Sequence, residues 1–350
     1  MNGYPLNTVD INPDAATPAI GVRAWRCHRH GPSGVCETTH HVSAAVVSYD
    51  GQIVQQFPAS NQTRLITRSM IKPLQAVALL SHPRANELSP RQWAIIAASH
   101  AGLPEQTGLV EEILHLAGAS TQHLACGATW PLDADHRARL CTEGHPKTPL
   151  YHNCSGKHAG LLLACHWHGW DLAGYTEPDH PIQQAILKAL QQAAGTTELD
   201  NLIDGCGVPT FGISMAAAGR AMAQLATNPK WHRVVEAMTT HPALVGDAQR
   251  IDSRLMTVSQ GRLLAKVGAE GVLGVVHRQR QQALILKVWD GRLDIRNRYV
   301  VHLLANLQWL DAQETQLLTA DPALATTQRN DQGQPVGHFS MTFPWVSPTA

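Results

Sequence analysis

The chain has 350 residues, enough for about two domains or one large one, and 44% of them are hydrophobic, which excludes wholesale disorder. Lysine plus arginine and aspartate plus glutamate are each 27, so the formal charge is zero and the basic excess of a nucleic-acid binder is missing. Only 7 of the 27 basic residues are lysine, so a lysine inside a motif stands out.

Residues 1–20 are polar and read as an irregular arm without the basic and apolar regions of a signal peptide. Residues 42–48 and 52–57 read as two strands joined by Tyr49-Asp50-Gly51, a hairpin signal. Residues 70–81 read as a buried helix with Pro73 in its first turn. Ser89-Pro90-Arg91-Gln92 is a capped helix start, Pro104 to Ala117 a second helix and Pro181 to Ala194 a third, each of the last two stopped by glycine. Residues 211–226 read as an alanine-rich helix, and 231–250 as one or two more. The pattern then turns β-like over 262–267, 271–277 and 283–289, with 292–296 as a possible further strand, before a closing helix over 299–318 and a polar tail over 321–350. Strands at both ends and helices between predict an α/β fold of the α+β type: an antiparallel sheet made by the two chain ends, at about 21–60 and 260–320, with a helical region over about 61–259. Regular strand–helix alternation, as in a doubly wound sheet, is absent. No apolar run is long enough to span a membrane.

Five short motifs carry chemistry. In Arg68-Ser69-Met70-Ile71-Lys72-Pro73, helical spacing puts Ser69 and Lys72 on one face about 4.5 Å apart along the axis, close enough for an amine to take the hydroxyl proton. The bland alternative is a capped helix start. Ala97-Ala98-Ser99-His100-Ala101-Gly102 suits close ligand approach or an ordinary helix end. Cys154, Lys157 and His158 share a helical face, and Cys206 lies between two glycines in Asp204-Gly205-Cys206-Gly207. Two thiols with a nearby histidine or lysine suit zinc, or are simply buried thiols. Lys266-Val267-Gly268 matches in part the K-T-G element that faces S-x-x-K in penicillin-recognising enzymes. The odd count of seven cysteines at irregular spacing reads as reduced thiols in a cytoplasmic protein. Cys27, His28, His30, Cys36, His40 and His41 are metal-ligand types whose spacing fits no finger pattern.

In order, RSMIKPLQA, ASHAG, ACGATWP, HNCSGKHAG, DGCGVPTF and AKVGAEGV resemble the Rhizobium etli-type L-asparaginases, the asparaginase II family, over about residues 20–310. The resemblance implies a single catalytic domain over 21–320 with a fold similar to serine β-lactamases and penicillin-binding proteins. It implies Ser69 with Lys72 as one catalytic tandem, Ser69 being the nucleophile, and Ser99 with Lys266 as the second. It further implies Cys154, Lys157 and Cys206 as a supporting Zn²⁺ site, with Arg68, His158 and Asp204 on the substrate side. L-Asparagine is the implied substrate and a homodimer the implied assembly, with neither nucleic acid nor membrane as partner. Ala101 and Thr129 stand where the family has serine and histidine. Two alternatives remain: another serine hydrolase on the same scaffold (glutaminase, esterase or β-lactam-recognising), and a non-enzymatic zinc-bound protein.

Overall fold

The computed structural model describes residues 18–28, 34–58 and 63–345. Eleven strands occur among them: β1 (Ala19–Cys27), β2 (Gly34–Ser48), β3 (Ile53–Phe57), β4 (Arg64–Ile66), β5 (Asp200–Ile203), β6 (Pro209–Ser214), β7 (Leu263–Val267), β8 (Val272–His277), β9 (Gln282–Val288), β10 (Thr327–Arg329) and β11 (Pro335–Met341). An antiparallel sheet runs in the order β10-β11-β1-β2-β9-β8-β7, and β3 pairs with β2. The two chain ends therefore build the main sheet, as the sequence predicts, and the segment between them is mostly helical.

Local signals account for much of this. The expected β2–β3 hairpin turns at Asp50-Gly51, where Gly51 takes the left-handed backbone that side chains disfavour (φ 95°). At Ser89 the capping box is complete: Gln92 N–H donates to the serine hydroxyl at 3.3 Å and Ser89 N–H to the Gln92 amide oxygen at 2.9 Å. β7 and β8 are buried along their whole length; the helix Ile251–Val258 packs on β7, and the helix Met215–Thr227 covers β8, β9 and β2, where Gly219 lets the backbone lie against Val47.

Several expectations are corrected. Residues 211–214 belong to β6, and the helix begins at Met215 because the Ser214 hydroxyl accepts from Ala217 N–H. β6 pairs with β4 and β5 in a small second sheet inside the helical region. Residues 293–306 are helical, so 292–296 adds no strand, and the closing helix is two helices, Leu293–Asn306 and Ala312–Thr319. The polar stretch after 320 is not a free tail: β11 pairs with β1 from Val22↔Met341 to Arg26↔Gly337. β10 is the edge of the sheet and β11 lies beside it, and their half-exposed faces carry polar residues and so lack a hydrophobic run. Of the expected N-terminal arm, residues 1–17 lie outside the described residues, and β1 already starts at Ala19.

The helix Ser155–His168, which carries the third motif, packs tightly on the helix Pro90–Ile96. A methyl group at Gly156 would overlap the Ile95 carbonyl, and one at Gly160 the Ile96 side chain. Gly156→Ala should therefore lower stability by roughly 1–3 kcal/mol. A lower urea midpoint at unchanged slope checks this, and an unshifted midpoint refutes the close-packing account.

Candidate active site

Four segments meet at the inner end of β7. β4 leads into a short 3₁₀ turn, Arg68–Ile71, and then the helix Lys72–Val77. Arg68 holds a left-handed backbone (φ 47°), which costs on the order of 1–3 kcal/mol for a non-glycine residue and is commonly kept at functional sites. Ser69 follows, half-buried, with no hydrogen bond to its hydroxyl among the described residues. Lys72 is fully buried.

The expected Ser69–Lys72 contact is not the one Lys72 makes. Its Nζ lies 3.0 Å from the Ser99 hydroxyl, 2.7 Å from the Ala98 carbonyl and 3.3 Å from the Asn153 carbonyl. Ser99 is also met by Lys266 Nζ at 2.9 Å, whose amine further donates to the Val267 carbonyl at 2.9 Å. One buried hydroxyl thus sits between two fully buried lysine amines. Burial lowers the pKa of Lys72, and it lowers that of Lys266 well below the ordinary value, with the Arg250 charge adding to the effect. Both amines donate to the Ser99 hydroxyl oxygen, and Lys72 donates to the Ala98 and Asn153 carbonyls as well, so its polar contacts are all made inside the buried site.

A support outside the five sequence motifs holds this group. Arg250 donates through Nε to Asp252 Oδ1 at 2.7 Å and through Nη2 to Oδ2 at 2.8 Å. It also donates to the Ser99 carbonyl, and to the Val245 carbonyl at 2.7 Å. Asp252 is fully buried, accepts from Val267 N–H at 3.2 Å and lies 3.9 Å from Lys266 Nζ. Burial alone would raise its pKa, but the charges of Arg250 and Lys266 win and hold it well below the usual carboxylate value. The signal in the sequence was an aspartate beside apolar residues in Ile251-Asp252-Ser253-Arg254-Leu255.

The thiols form an adjoining cluster. Cys154 caps the helix Ser155–His168, and Cys206 sits in the β5–β6 turn, closed by Gly207 N–H to the Asp204 carbonyl at 2.9 Å. The turn tucks Cys206 in to 3% exposure. The donor atoms of Cys154, Asp204 and Cys206 lie within 4.8 Å of one another. Lys157 Nζ is 3.1 Å from Cys206 Sγ, and Arg68 Nε donates to Asp204 Oδ1 at 2.6 Å. A hydrogen bond from Cys206 lowers the Cys154 pKa, helped by Lys72 and Lys157 and opposed by burial, whereas that bond and burial raise Cys206. Two buried sulfurs and a carboxylate suit zinc by donor chemistry, and Lys157, which donates to Cys206, joins them only by giving up a proton. The geometry adds Asp204 to this donor set, although the resemblance placed it on the substrate side.

His158 turns away from the reacting groups. It is fully buried, its Nδ1 shares a hydrogen bond of 2.6 Å with the Tyr175 hydroxyl, and its Nε2 has no hydrogen-bond partner among the described residues. Tyr175 also accepts from Ala125 N–H at 2.9 Å. His100 stays neutral, with burial pushing its pKa down to about 3, and bonds the Ser155 hydroxyl at 2.8 Å. Cys27 and Cys36 are exposed on β1 and β2, and His40 pairs instead with Asp290 at 2.5 Å.

A family model described as L-asparaginase II matches residues 28–341. No curated protein matches the chain. Among solved structures, the chain is similar to a β-lactamase from Mycobacterium bovis, at 14% identity over 76% of this chain and 94% of that one with a TM-score of 0.40. It is also similar to a mutant of simvastatin synthase from Aspergillus terreus, at 9% identity over 77% and 93%, with a TM-score of 0.36. No helix among the described residues is long and apolar enough to cross a membrane.

Proposed function

The chain belongs to the L-asparaginase II family, and from that premise we propose that it hydrolyses the side-chain amide of L-asparagine to L-aspartate and ammonia through a serine acyl-enzyme. The observation that carries the reading is the Ser99 hydroxyl held between Lys72 and Lys266, with Lys72 one helical turn after the half-exposed Ser69 in the chain.

Ser69 is the nucleophile in this reading, because it is the site hydroxyl that a ligand reaches and no fold contact occupies it. Its oxygen bonds to the carboxamide carbon and its proton passes to Lys72; Lys72 then protonates Ser99 as Ser99 gives its own proton to Lys266, and Lys266 protonates the nitrogen, whose bond to carbon breaks to release ammonia. Water then attacks the ester, and its proton returns along the same amines to restore Ser69. Both amines must be neutral when they accept, which burial favours. Arg250 and Asp252 position the relay through the Ser99 carbonyl and the Val267 N–H.

Cys154, Cys206 and Lys157, with Asp204 in reach, would hold zinc, which supplies a fixed positive charge for binding the substrate carboxylate. Cys154→Ala should abolish stoichiometric zinc by elemental analysis and raise KM by about 10–100-fold with a smaller change in kcat. Unchanged zinc content would rule out the metal assignment.

The function is tested by ammonia release from L-asparagine against L-glutamine, with and without Zn²⁺, beside a chromogenic β-lactam. Preference for L-asparagine supports the reading. Faster turnover of glutamine or the β-lactam replaces it with the corresponding hydrolase, and no turnover of any substrate favours a non-enzymatic protein.

A further inference from the structure

Beside the site, at the β7–β8 turn, lies a cavity of about 270 Å³. Leu65, Ile66 and the Trp289 indole make its apolar walls, and Arg68, Lys287 and Glu270 bring charge to it. Trp289 is fixed by its own N–H, which donates to the Ser43 hydroxyl at 2.9 Å, and Lys287 Nζ stands 5.5 Å from its ring.

The charged groups are under-used. Arg68 spends Nε on Asp204, and its remaining guanidinium N–H groups have no hydrogen-bond partner among the described residues. Lys287 donates to the Glu270 backbone carbonyl, which leaves two of its three N–H groups. The Glu270 carboxylate makes no hydrogen bond or ion pair among the described residues. Glu270 is also out of place by turn chemistry. Its φ is 56° and that of Gly271 is 73°, and the first left-handed position of such a two-residue turn favours Asn, Asp or Gly.

We propose that this cavity is a second, non-catalytic site that binds a small apolar α-amino acid. Its carboxylate pairs with Arg68 and Lys287, its ammonium pairs with Glu270, and its side chain lies on Trp289, Leu65 and Ile66. Two cations and one anion around an apolar wall match a zwitterion with an apolar side chain better than a simple anion. The wall provides no partner for a carboxamide, which would lose its hydrogen bonds to water there. At about 270 Å³ the cavity has room for a ligand the size of leucine. Because Arg68 shares Asp204 with the thiol cluster and precedes Ser69, occupancy is coupled to the site, and the coupling is reciprocal.

The test is calorimetric titration of the full chain with L-leucine, 4-methylpentanoate (no ammonium) and 3-methylbutylamine (no carboxylate). L-Leucine should bind in the presence of saturating L-aspartate, and each truncated analogue at least about tenfold more weakly, the scale expected for losing a charge-assisted hydrogen bond. Glu270→Gln and Lys287→Met should each weaken L-leucine by a similar factor, and Glu270→Gln should do so without weakening 4-methylpentanoate. The proposal is overturned by no L-leucine binding, by displacement with L-aspartate, by equal affinity for 4-methylpentanoate, or by variants that leave affinity unchanged. These readouts need no turnover, so they stand or fall apart from the asparaginase reading.

Discussion

Ser69→Ala is expected to cut ammonia release from L-asparagine by on the order of 10⁴-fold or more, the usual cost of losing an acyl-accepting serine, with the fold intact. The Ser69 hydroxyl bonds nothing among the described residues, so its removal breaks no structural contact and stability should move by no more than about 0.5 kcal/mol. Ser99→Ala makes the informative contrast. It also stops the relay, but it leaves two buried amines short of a partner, at about 1–3 kcal/mol for an unsatisfied buried group. Activity loss without destabilisation at 69, and with destabilisation at 99, is the signature of nucleophile and relay. The measurement that decides between the serines is peptide mapping of the acyl adduct after acid quench of a slow amide substrate. An adduct on Ser99, or a Ser69→Ala variant near wild-type rate, moves the nucleophile to Ser99, the hydroxyl already engaged by both lysines.

Asp252→Ala should be the most destabilising single change at the site, by about 3–5 kcal/mol, because it leaves the part-buried Arg250 guanidinium and the fully buried Lys266 without the carboxylate between them. Chemical denaturation measures it, and a loss below about 1 kcal/mol would show that Arg250 finds another partner. The pH dependence has a definite sign. The Asp252 pKa is lower folded than unfolded, so its contribution is fully present above the unfolded value of about 3.9 and is lost as the pH falls below it toward the folded value. Lys266 is also lower folded than unfolded. Between its folded value and about 10.4 the unfolded chain binds a proton that the folded chain does not, so this lysine makes stability rise with pH. Activity that needs a neutral Lys266 falls as the solution is acidified through its lowered pKa. Asp252→Asn removes a charge that holds that value up, so the acid limb of the rate profile should move to lower pH. A purely structural role for Asp252 would lower the rate at every pH without moving the limb.

The parts legible in the sequence were those written in neighbouring residues. The Ser89 capping box, the Asp50-Gly51 hairpin and the glycine stops of helices need contacts only a few positions apart, so their residue types announce them. The three strands between 262 and 289 were equally plain, since a buried strand between turn glycines leaves an apolar run. β10, β11 and most of β1 were missed because strands near the sheet edge, half open to water, carry Arg, Thr, Gln and His.

The site divides the same way. The sequence by itself singled out the candidate side chains: Ser69 with Lys72 by spacing, Ser99 and Lys266 in short motifs of their own, and two cysteines in glycine-rich surroundings with Lys157. Partnership was decided only in three dimensions. The spacing of Ser69 and Lys72 suggested a pair, but Lys72 spends its amine on Ser99, 27 positions away, because both side chains are driven into one buried pocket where every polar atom needs a partner. The Arg250–Asp252 brace likewise matters only because β7 brings Lys266 and Val267 N–H against it. Short-range signals survive in a linear chain because the backbone itself holds their partners close. Long-range pairings are set by which groups the packed core leaves without water, and no spacing rule along the chain records that.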